Sequence, residues 1–366
     1  ASSPALVRNP LIDLLQAVST QGSISGGARA LGLSYRHVWG ELKRWENELG
    51  NELVIWEKGQ SALLTDFANK LMWAERQAQA RLAPQIEALR TELERSFSLA
   101  FDDSVHVLTL YASHDEAISR LREYALRGTA DSTPASQEPG RLHLDVRFTG
   151  SVDAIRALNE GRCVMAGFHT LCTTGRKSRS ERAYKPLLQP GQHKIIGFAK
   201  RTQGLLLAAG NPLAIQTLTD VAQRQARFAN RALGTGTRVV LDELLDQAGL
   251  GPDDINGYEH TEPSHLAVAQ AVASGHCDAA LGIAAAARQA GLDFVPLAEE
   301  HYHLVCLKSA LTQPGVQNLL HLLQTPGWRA CVGAIAGYMP LQSGEVLSMR
   351  RVLPWWSFAE KSKGIH

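Results

Sequence analysis

The chain has 366 residues, 45% of them hydrophobic, enough to bury a sizeable core and to fill two or three domains. Its 37 basic and 36 acidic side chains leave a formal charge of +1, so any contact with nucleic acid must come from local patterning. No run of about 18 apolar residues and no basic-then-apolar leader occurs, and the five cysteines are scattered without zinc or redox spacing, so neither export nor membrane insertion is expected and a reducing cytoplasm suits the chain.

Leu11, Leu14, Leu15 and Val18 mark one face of a short helix. A second, from about Ser25 to Leu31, carries Gly26, Gly27, Ala28 and Ala30, small enough for close approach to a neighbouring helix, and Gly32-Leu33 ends it. Ser34 stands at the N-cap of a third helix, which buries Val38, Leu42, Trp45 and Leu49 and turns Arg36, His37, Gly40, Lys43 and Arg44 outward until Gly50 closes it. Leu53 to Trp56 and Ala62 to Leu64 flank the polar run Glu57-Lys58-Gly59-Gln60-Ser61, which predicts a hairpin with a wing-like tip. From Asp66 to about Phe97 the apolar residues Phe67, Leu71, Ala74, Ala78, Leu82, Ile86, Leu89 and Leu93 recur by threes and fours. That predicts a long helix whose narrow stripe needs a partner, bent at Pro84.

Beyond Asp102-Asp103 short apolar strands alternate with helices, which predicts an α/β region with mainly parallel pairing. Strands are expected at Val105 to Leu110, Leu142 to Phe148, Val164 to Phe168, Ile195 to Ala199, Leu205 to Ala209, Arg227 to Ala229 and Ala279 to Ile283. Helices begin near Asp115 and Ser151 and fill Val239 to Ala248 and Leu266 to Ser274, while Gly128 to Gly140 has the composition of a mobile surface loop.

The first constellation is the capped third helix with Ser34, Tyr35, Arg36 and His37 at its start, Arg44 further along, and Lys58 and Gln60 in the wing. Major-groove reading needs such an arrangement, with Arg36 on base edges and Lys58 on a phosphate. A plain three-helix bundle with a solvated basic face fits the spacing equally, and charge does not decide between them: residues 1–100 hold eleven basic and eleven acidic side chains. The run Leu14-Leu15-Gln16-Ala17-Val18, Gly22-Ser23-Ile24-Ser25 and Ala28 to Tyr35, continued by Trp39, Leu42, Leu49-Gly50 and Leu64-Thr65, resembles the DNA-binding domain of LysR-type regulators and, more closely, of molybdate-responsive ModE-type repressors. The resemblance covers about a hundred residues. It implies a winged helix-turn-helix on double-stranded DNA, dimerising through the long helix, with tetramers as in many LysR-type proteins.

The second constellation is Asn230-Arg231-Ala232-Leu233-Gly234-Thr235-Gly236-Thr237-Arg238, a strand-to-helix turn whose exposed amides, hydroxyls and helix dipole suit a compact anion. It lacks the Gly-Lys-Ser/Thr of a nucleotide loop, and alone it is an ordinary turn. Ser113-His114-Asp115 and Gly150-Ser151-Val152 occupy equivalent places after other strands, the edge at which open α/β sheets bind ligands. Together with Ala166-Gly167-Phe168-His169 and Arg201-Thr202-Gln203-Gly204-Leu205, these turns are similar to the periplasmic-binding-protein-like domain found beside ModE-like heads and in molybdenum cofactor proteins, over about residues 104–340.

That resemblance implies two α/β lobes joined by crossovers near Ala199 to Gly204 and Glu299 to Val305, closing on one small anionic effector, molybdate or tungstate. The expected ligand set is Ser113, His114, Ser151, His169, Arg201, Asn230, Arg231, Thr235, Gly236, Thr237 and Arg238. Three arginines exceed what an oxyanion site of neutral donors requires, which leaves a small carboxylate such as formate, or a pterin-type ligand, open. His265 and Asp278 could face the cleft, with local capping the favoured reading of each, and Trp355 and Trp356 are expected to pack the C-terminal segment.

The predicted fold class is α/β with an N-terminal all-α-plus-wing domain: a winged helix-turn-helix (1–65), a linker helix (66–100) and a two-lobed type 2 periplasmic-binding-protein-like domain (104–366). Lobe I takes about 104–199 and 303–366, and lobe II about 200–302. Enzyme chemistry is not expected, since the adjacent Ser113, His114 and Asp115 cannot converge as a hydrolytic triad, and neither a cofactor nor a metal site is indicated. A DNA-binding structural protein without a ligand is the remaining alternative, disfavoured by the repeated anion-type turns.

Overall fold

Three capped helices open the chain in the computed structural model, which describes residues 9–55, 62–101, 105–127 and 142–356. Asn9 caps α1 (Pro10–Gln21), Ser23 caps α2 (Ile24–Leu31) and Ser34 caps α3 (Tyr35–Leu49), each side chain accepting a first-turn amide. Gly22, Gly32 and Gly50 end them in the left-handed region at φ 63°, 68° and 66°. A Cβ on Gly27 would meet Val18 N at 3.0 Å, so α1 and α2 approach as closely as the small residues predicted. Leu11, Leu14, Leu15, Val18, Ile24, Val38, Leu42 and Leu53 form the core beneath them. β1 (Val54–Ile55) and β2 (Leu63–Leu64) pair antiparallel as the base of the predicted hairpin. Its tip, with Lys58 and Gln60, lies outside the described residues.

α4 (Asp66–Phe101) runs 36 residues with Pro84 inside it. The chain divides within this helix into two compact units, residues 1–83 and 84–366. Ala68 and Met72 close the first core. The second half of α4 is bound into the second unit, where Thr91 Oγ1 accepts from Arg122 at 2.7 Å and Glu87 meets His114 at 3.1 Å.

The second unit continues with β3 (His106–Ala112), α5 (Glu116–Arg127), β4 (Leu142–Phe148), α6 (Ser151–Asn159), β5 (Met165–Leu171), α7 (Arg179–Tyr184), β6 (His193–Leu207), α8 (Leu218–Gln223), β7 (Phe228–Arg231) and α9 (Gly236–Ala248). It ends with β8 (Thr261–Glu262), α10 (His265–Ala273), β9 (Ala279–Ile283), α11 (Ala284–Ala290), β10 (Asp293–Leu307), α12 (Pro314–Gln324), α13 (Pro326–Gly333), β11 (Tyr338–Pro340), β12 (Val346–Leu347) and α14 (Met349–Val352). The strand order β4-β3-β5-β10-β6-β9-β7-β8 forms two lobes that share β6 and β10, two 15-residue strands paired antiparallel along their length. Apolar clusters cover the sheet, around Leu121, Phe198 and Trp328, around Phe168, Tyr184 and Trp355, and around Phe228, Leu241 and Ile255. Trp355 is thus buried as expected, with Trp356 packed against its cluster.

Two expectations are corrected here. The strands placed at Ile195 to Ala199 and Leu205 to Ala209 are one strand, because the chain crosses between lobes without breaking its ladder to β10. Pairing is mixed rather than mainly parallel: β3–β4, β3–β5, β7–β8 and β7–β9 are parallel, whereas β10 and β6 run antiparallel to each other and to β5 and β9. The Gly128 to Gly140 loop lies outside the described residues.

Candidate functional site

Ser34, Tyr35, Arg36 and His37 are all exposed at the start of α3, with Ser34 Oγ accepting from His37 N at 3.2 Å. Tyr35 stacks on Trp39 at 6.5 Å, which stiffens this first turn. Lys43 and Arg44 are engaged by their own helix, Lys43 with Glu46 at 2.6 Å and Arg44 with Glu41 at 2.6 Å and Glu48 at 3.3 Å. Arg44, expected at the DNA, therefore has its charge neutralised locally. Among the described residues of α3, Arg36 is the cation with no carboxylate beside it.

In the second unit, strand register builds the site between the lobes. β6 and β10 set Arg201 opposite Glu300, β11 sets Tyr338 beside Arg201, and β5 sets His169 opposite Tyr302. The two-residue period of a strand puts Arg201 with Gln203, and Glu300 with Tyr302, on one face. The Arg201 guanidinium joins Glu300 to Asp115, which follows β3, and Tyr338 OH donates to Asp115 Oδ2 at 2.5 Å. Gln203 Nε2 continues the chain to Glu300 Oε1 at 2.9 Å and to Thr237 Oγ1 at 3.3 Å, and His265 Nε2 lies 3.4 Å from that hydroxyl.

The Gly-Thr turn begins its helix at Gly236, three residues earlier than predicted, with Thr235 as N-cap accepting from Arg238 N at 3.3 Å. Gly236 faces His169 so closely that a Cβ there would lie 2.6 Å from His169 Cδ2. Gly150 meets Gly234 in the same way, and Val152 N donates to Gly234 O at 3.3 Å. Turns from both lobes therefore touch.

This buried cluster is incompletely satisfied. Arg231 is 2% exposed; its Nη2 donates to Pro263 O at 3.0 Å, while Nε and Nη1 have no partner among the described residues. Burial, reinforced by nearby Arg201, lowers its guanidinium to about 9. Burial, with Arg201 and then His303 beside it, holds His169 neutral, and burial with Arg231 does the same for His265. Ser113 Oγ, Gln203 Oε1, Glu300 Oε2 and Tyr302 OH are also buried without partners. Orphaned buried polar groups are costly unless a further group meets them.

The predicted set separates. Ser113, Ser151, His169, Arg201, Arg231, Thr235, Gly236 and Thr237 lie at the facing strand edges or in the buried network. His114 turns instead to Glu87 of α4 at 3.1 Å. Arg238 leaves the network for the Tyr258 ring at 3.8 Å and Asp242 at 3.5 Å, and Asn230 bonds Tyr258 O at 3.0 Å and Arg231 N at 2.8 Å, so both brace the turn. Asp278 pairs with Arg227 at 2.6 Å, away from the site, whereas His265 joins it. Asp115, Gln203, Glu300, Tyr302 and Tyr338 are added by the structure.

Among the described residues no helix is long and apolar enough to cross a membrane, no cluster of His, Cys, Asp and Glu could hold a metal ion, and the five cysteines are free. Residues 11–69 match the model of the bacterial regulatory helix-turn-helix proteins of the lysR family, and residues 133–324, more than half of the chain, match that of the PBP superfamily domain. Uncharacterized protein YvgK of Bacillus subtilis (strain 168) is 30% identical over 202 residues, 55% of this chain and 64% of that protein, so less than two thirds of its length is spanned. An uncharacterized protein from the 5′ region of a ferredoxin 2Fe-2S gene of Clostridium pasteurianum is 32% identical over 111 residues, 30% of this chain and 98% of that one. Among solved structures, a cysteine-to-serine mutant of Corynebacterium glutamicum OxyR bound to hydrogen peroxide is similar over 94% of this chain and 99% of its own, at 15% identity and a TM-score of 0.44. With a match to the lysR-family helix-turn-helix over residues 11–69 set ahead of a two-lobed α/β domain, the chain belongs to the PBP superfamily.

Proposed function

We propose that this protein is an effector-responsive transcriptional regulator in which the Ser34-capped helix reads double-stranded DNA and the cleft between the two lobes binds one small anion. The observation that carries the effector reading is Arg231, a buried guanidinium with two unpartnered nitrogens, whose Nη2 donates to Pro263 O just ahead of α10. An anion there would restore its lost solvation and use the dipole end of the helix as well. Occupation changes the relative stability of lobe arrangements, and with it the set of the two DNA-reading helices in an oligomer, so no catalysis is required. The exposed Leu89 and Leu93 on α4, 62% and 61% accessible, support assembly of at least a dimer through that helix. Such a regulator works in the cytoplasm, where its operator is.

Molybdate or tungstate is the effector that the ModE-type resemblance favours, held by Ser113, Ser151, Thr235, Thr237 and the amides of the turn. A second reading, a small carboxylate such as formate or a pterin-type anion, is favoured by Arg231 itself, because a guanidinium matches a carboxylate in a two-pronged pair. Calorimetric titration with molybdate, tungstate, formate and sulfate, run beside binding to the protein's own upstream promoter fragment, tests the assignment. An anion that binds and shifts the DNA affinity supports it; promoter binding indifferent to every anion refutes the sensor.

A further inference from the structure

The unpartnered groups of the cleft are of two opposite kinds. Arg231 Nε and Nη1 can only donate a hydrogen bond. Glu300 Oε2 and Gln203 Oε1, in the same chain of contacts, present lone pairs. The Gln203 amide cannot be turned over to escape this, because its Nε2 already donates to Glu300 Oε1 at 2.9 Å and to Thr237 Oγ1 at 3.3 Å. Turned over, its oxygen would face the carboxylate. A bare oxyanion carries acceptors alone, so it would satisfy Arg231 and leave Gln203 Oε1 and Glu300 Oε2 opposed to its own lone pairs.

Charge points the same way. Asp115 and Glu300 balance Arg201 and Arg231, and His169 and His265 are neutral, so the closed cluster sums to zero before any ligand enters. A dianion would leave two buried charges without compensation, whereas an anion bearing its own donor, or its own positive charge, leaves one or none.

Building on the anion-site reading, we propose that the effector is an organic anion that also carries N–H donors. Its anionic group sits on Arg231, and its N–H group, an ammonium or the amine of a nitrogen heterocycle, sits on Glu300 Oε2 and Gln203 Oε1. Ser113 Oγ, Tyr302 OH and the imidazole nitrogens of His169 can donate or accept, and so complete either end.

The test is calorimetric titration of the full chain at about pH 7.5 with five probes: molybdate and formate as bare anions, glycine and 6-carboxypterin as donor-bearing anions, and pterin as the uncharged donor. One of the donor-bearing anions binds about tenfold or more tighter than either bare anion, since it alone satisfies both sets of groups. E300Q, which swaps a carboxylate oxygen for an amide at constant size, weakens that probe by about tenfold and does not weaken molybdate. Molybdate or formate binding wild type as tightly as both donor-bearing anions overturns the proposal, a comparison that needs no variant to fold. Silence from glycine and 6-carboxypterin overturns it as well. If pterin binds as tightly as 6-carboxypterin, the donor assignment stands and the anion reading fails, so the two are separable.

Discussion

Contact between the lobes can be tested at a single hydrogen atom. Gly150 precedes α6 in ordinary extended backbone, φ −67° and ψ 155°, which any residue adopts, so alanine there meets no conformational objection. Its Cβ would, however, lie 2.6 Å from Gly234 O, 2.8 Å from Gly234 C and 3.2 Å from Thr235 N. These are backbone atoms of the opposite lobe and cannot rotate aside. An ordinary carbon-to-oxygen contact is about 3.3 Å, so Gly150→Ala must part the turns by roughly 0.7 Å and stretch the bond from Val152 N to Gly234 O. Overpacking of this kind costs about 1–3 kcal/mol, an opening equilibrium about 5 to 150 times more favourable. The same substitution removes freedom from the unfolded chain worth about 0.4–1 kcal/mol, so global unfolding changes less than the local opening. Native-state hydrogen exchange at the Val152 amide reads the local term directly, and thermal unfolding reads the global one. Exchange at Val152 unaltered by the substitution would mean that the turns do not close on each other in solution, and the cleft built on them would fall with that contact.

Three further outcomes follow from the geometry. Arg36→Ala should weaken specific DNA binding by about 1–3 kcal/mol in a fluorescence anisotropy titration, and an equal loss on random DNA would reassign Arg36 to a phosphate. Leu89→Glu should dissociate the oligomer in sedimentation equilibrium, and a wild-type chain that is already monomeric at micromolar concentration removes the premise. Acid should destabilise the second unit: burial lowers His169, His265 and His303, the last to about 3, while their unfolded counterparts take a proton near pH ~6.5. The unfolded state then binds more protons as pH falls below that value, which costs up to about 1.4 kcal/mol per pH unit for each histidine. Glu300, raised by burial, opposes as one group against three. A urea midpoint at pH 5 equal to or above that at pH 7 contradicts neutral buried imidazoles.

What the sequence discloses here depends on how local the cause is. The cap Ser34, the terminating Gly32 and Gly50 and the stripe Leu11, Leu14, Leu15 and Val18 are set within a few residues, so the helices they define are legible, whereas the Thr235 cap is not read from the sequence and α9 begins three residues before its predicted start. The bounds of β4 and β9 are legible too, because each is a short apolar run between turns. β10 is not, since Asp293–Leu307 mixes exposed and buried residues as it passes from one lobe to the other, and its alternation reads as neither strand nor helix. The same passage hid the site. Asp115, Gln203, Glu300 and Tyr338 converge on Arg201 or on one another across 86 to 223 residues of sequence, and no local rule joins them.

The arginines expose the same gap in physical form. Arg201, Arg231 and Arg238 look equivalent in sequence, three cations near glycine- and threonine-rich turns, each an expected ligand residue. Partners separate them: Arg201 is held by two carboxylates, Arg238 lies on the Tyr258 ring beside Asp242, and Arg231, with two guanidinium nitrogens unpartnered, is the one of the three with no carboxylate at ion-pair distance among the described residues. Burying a cation without a direct ion-pair partner costs stability, which on the proposed reading an anion in the cleft restores. On that reading, the incomplete pairing of Arg231 is what makes occupation of the cleft energetically consequential, and a fully paired arginine at that position would leave the lobes indifferent to an anion.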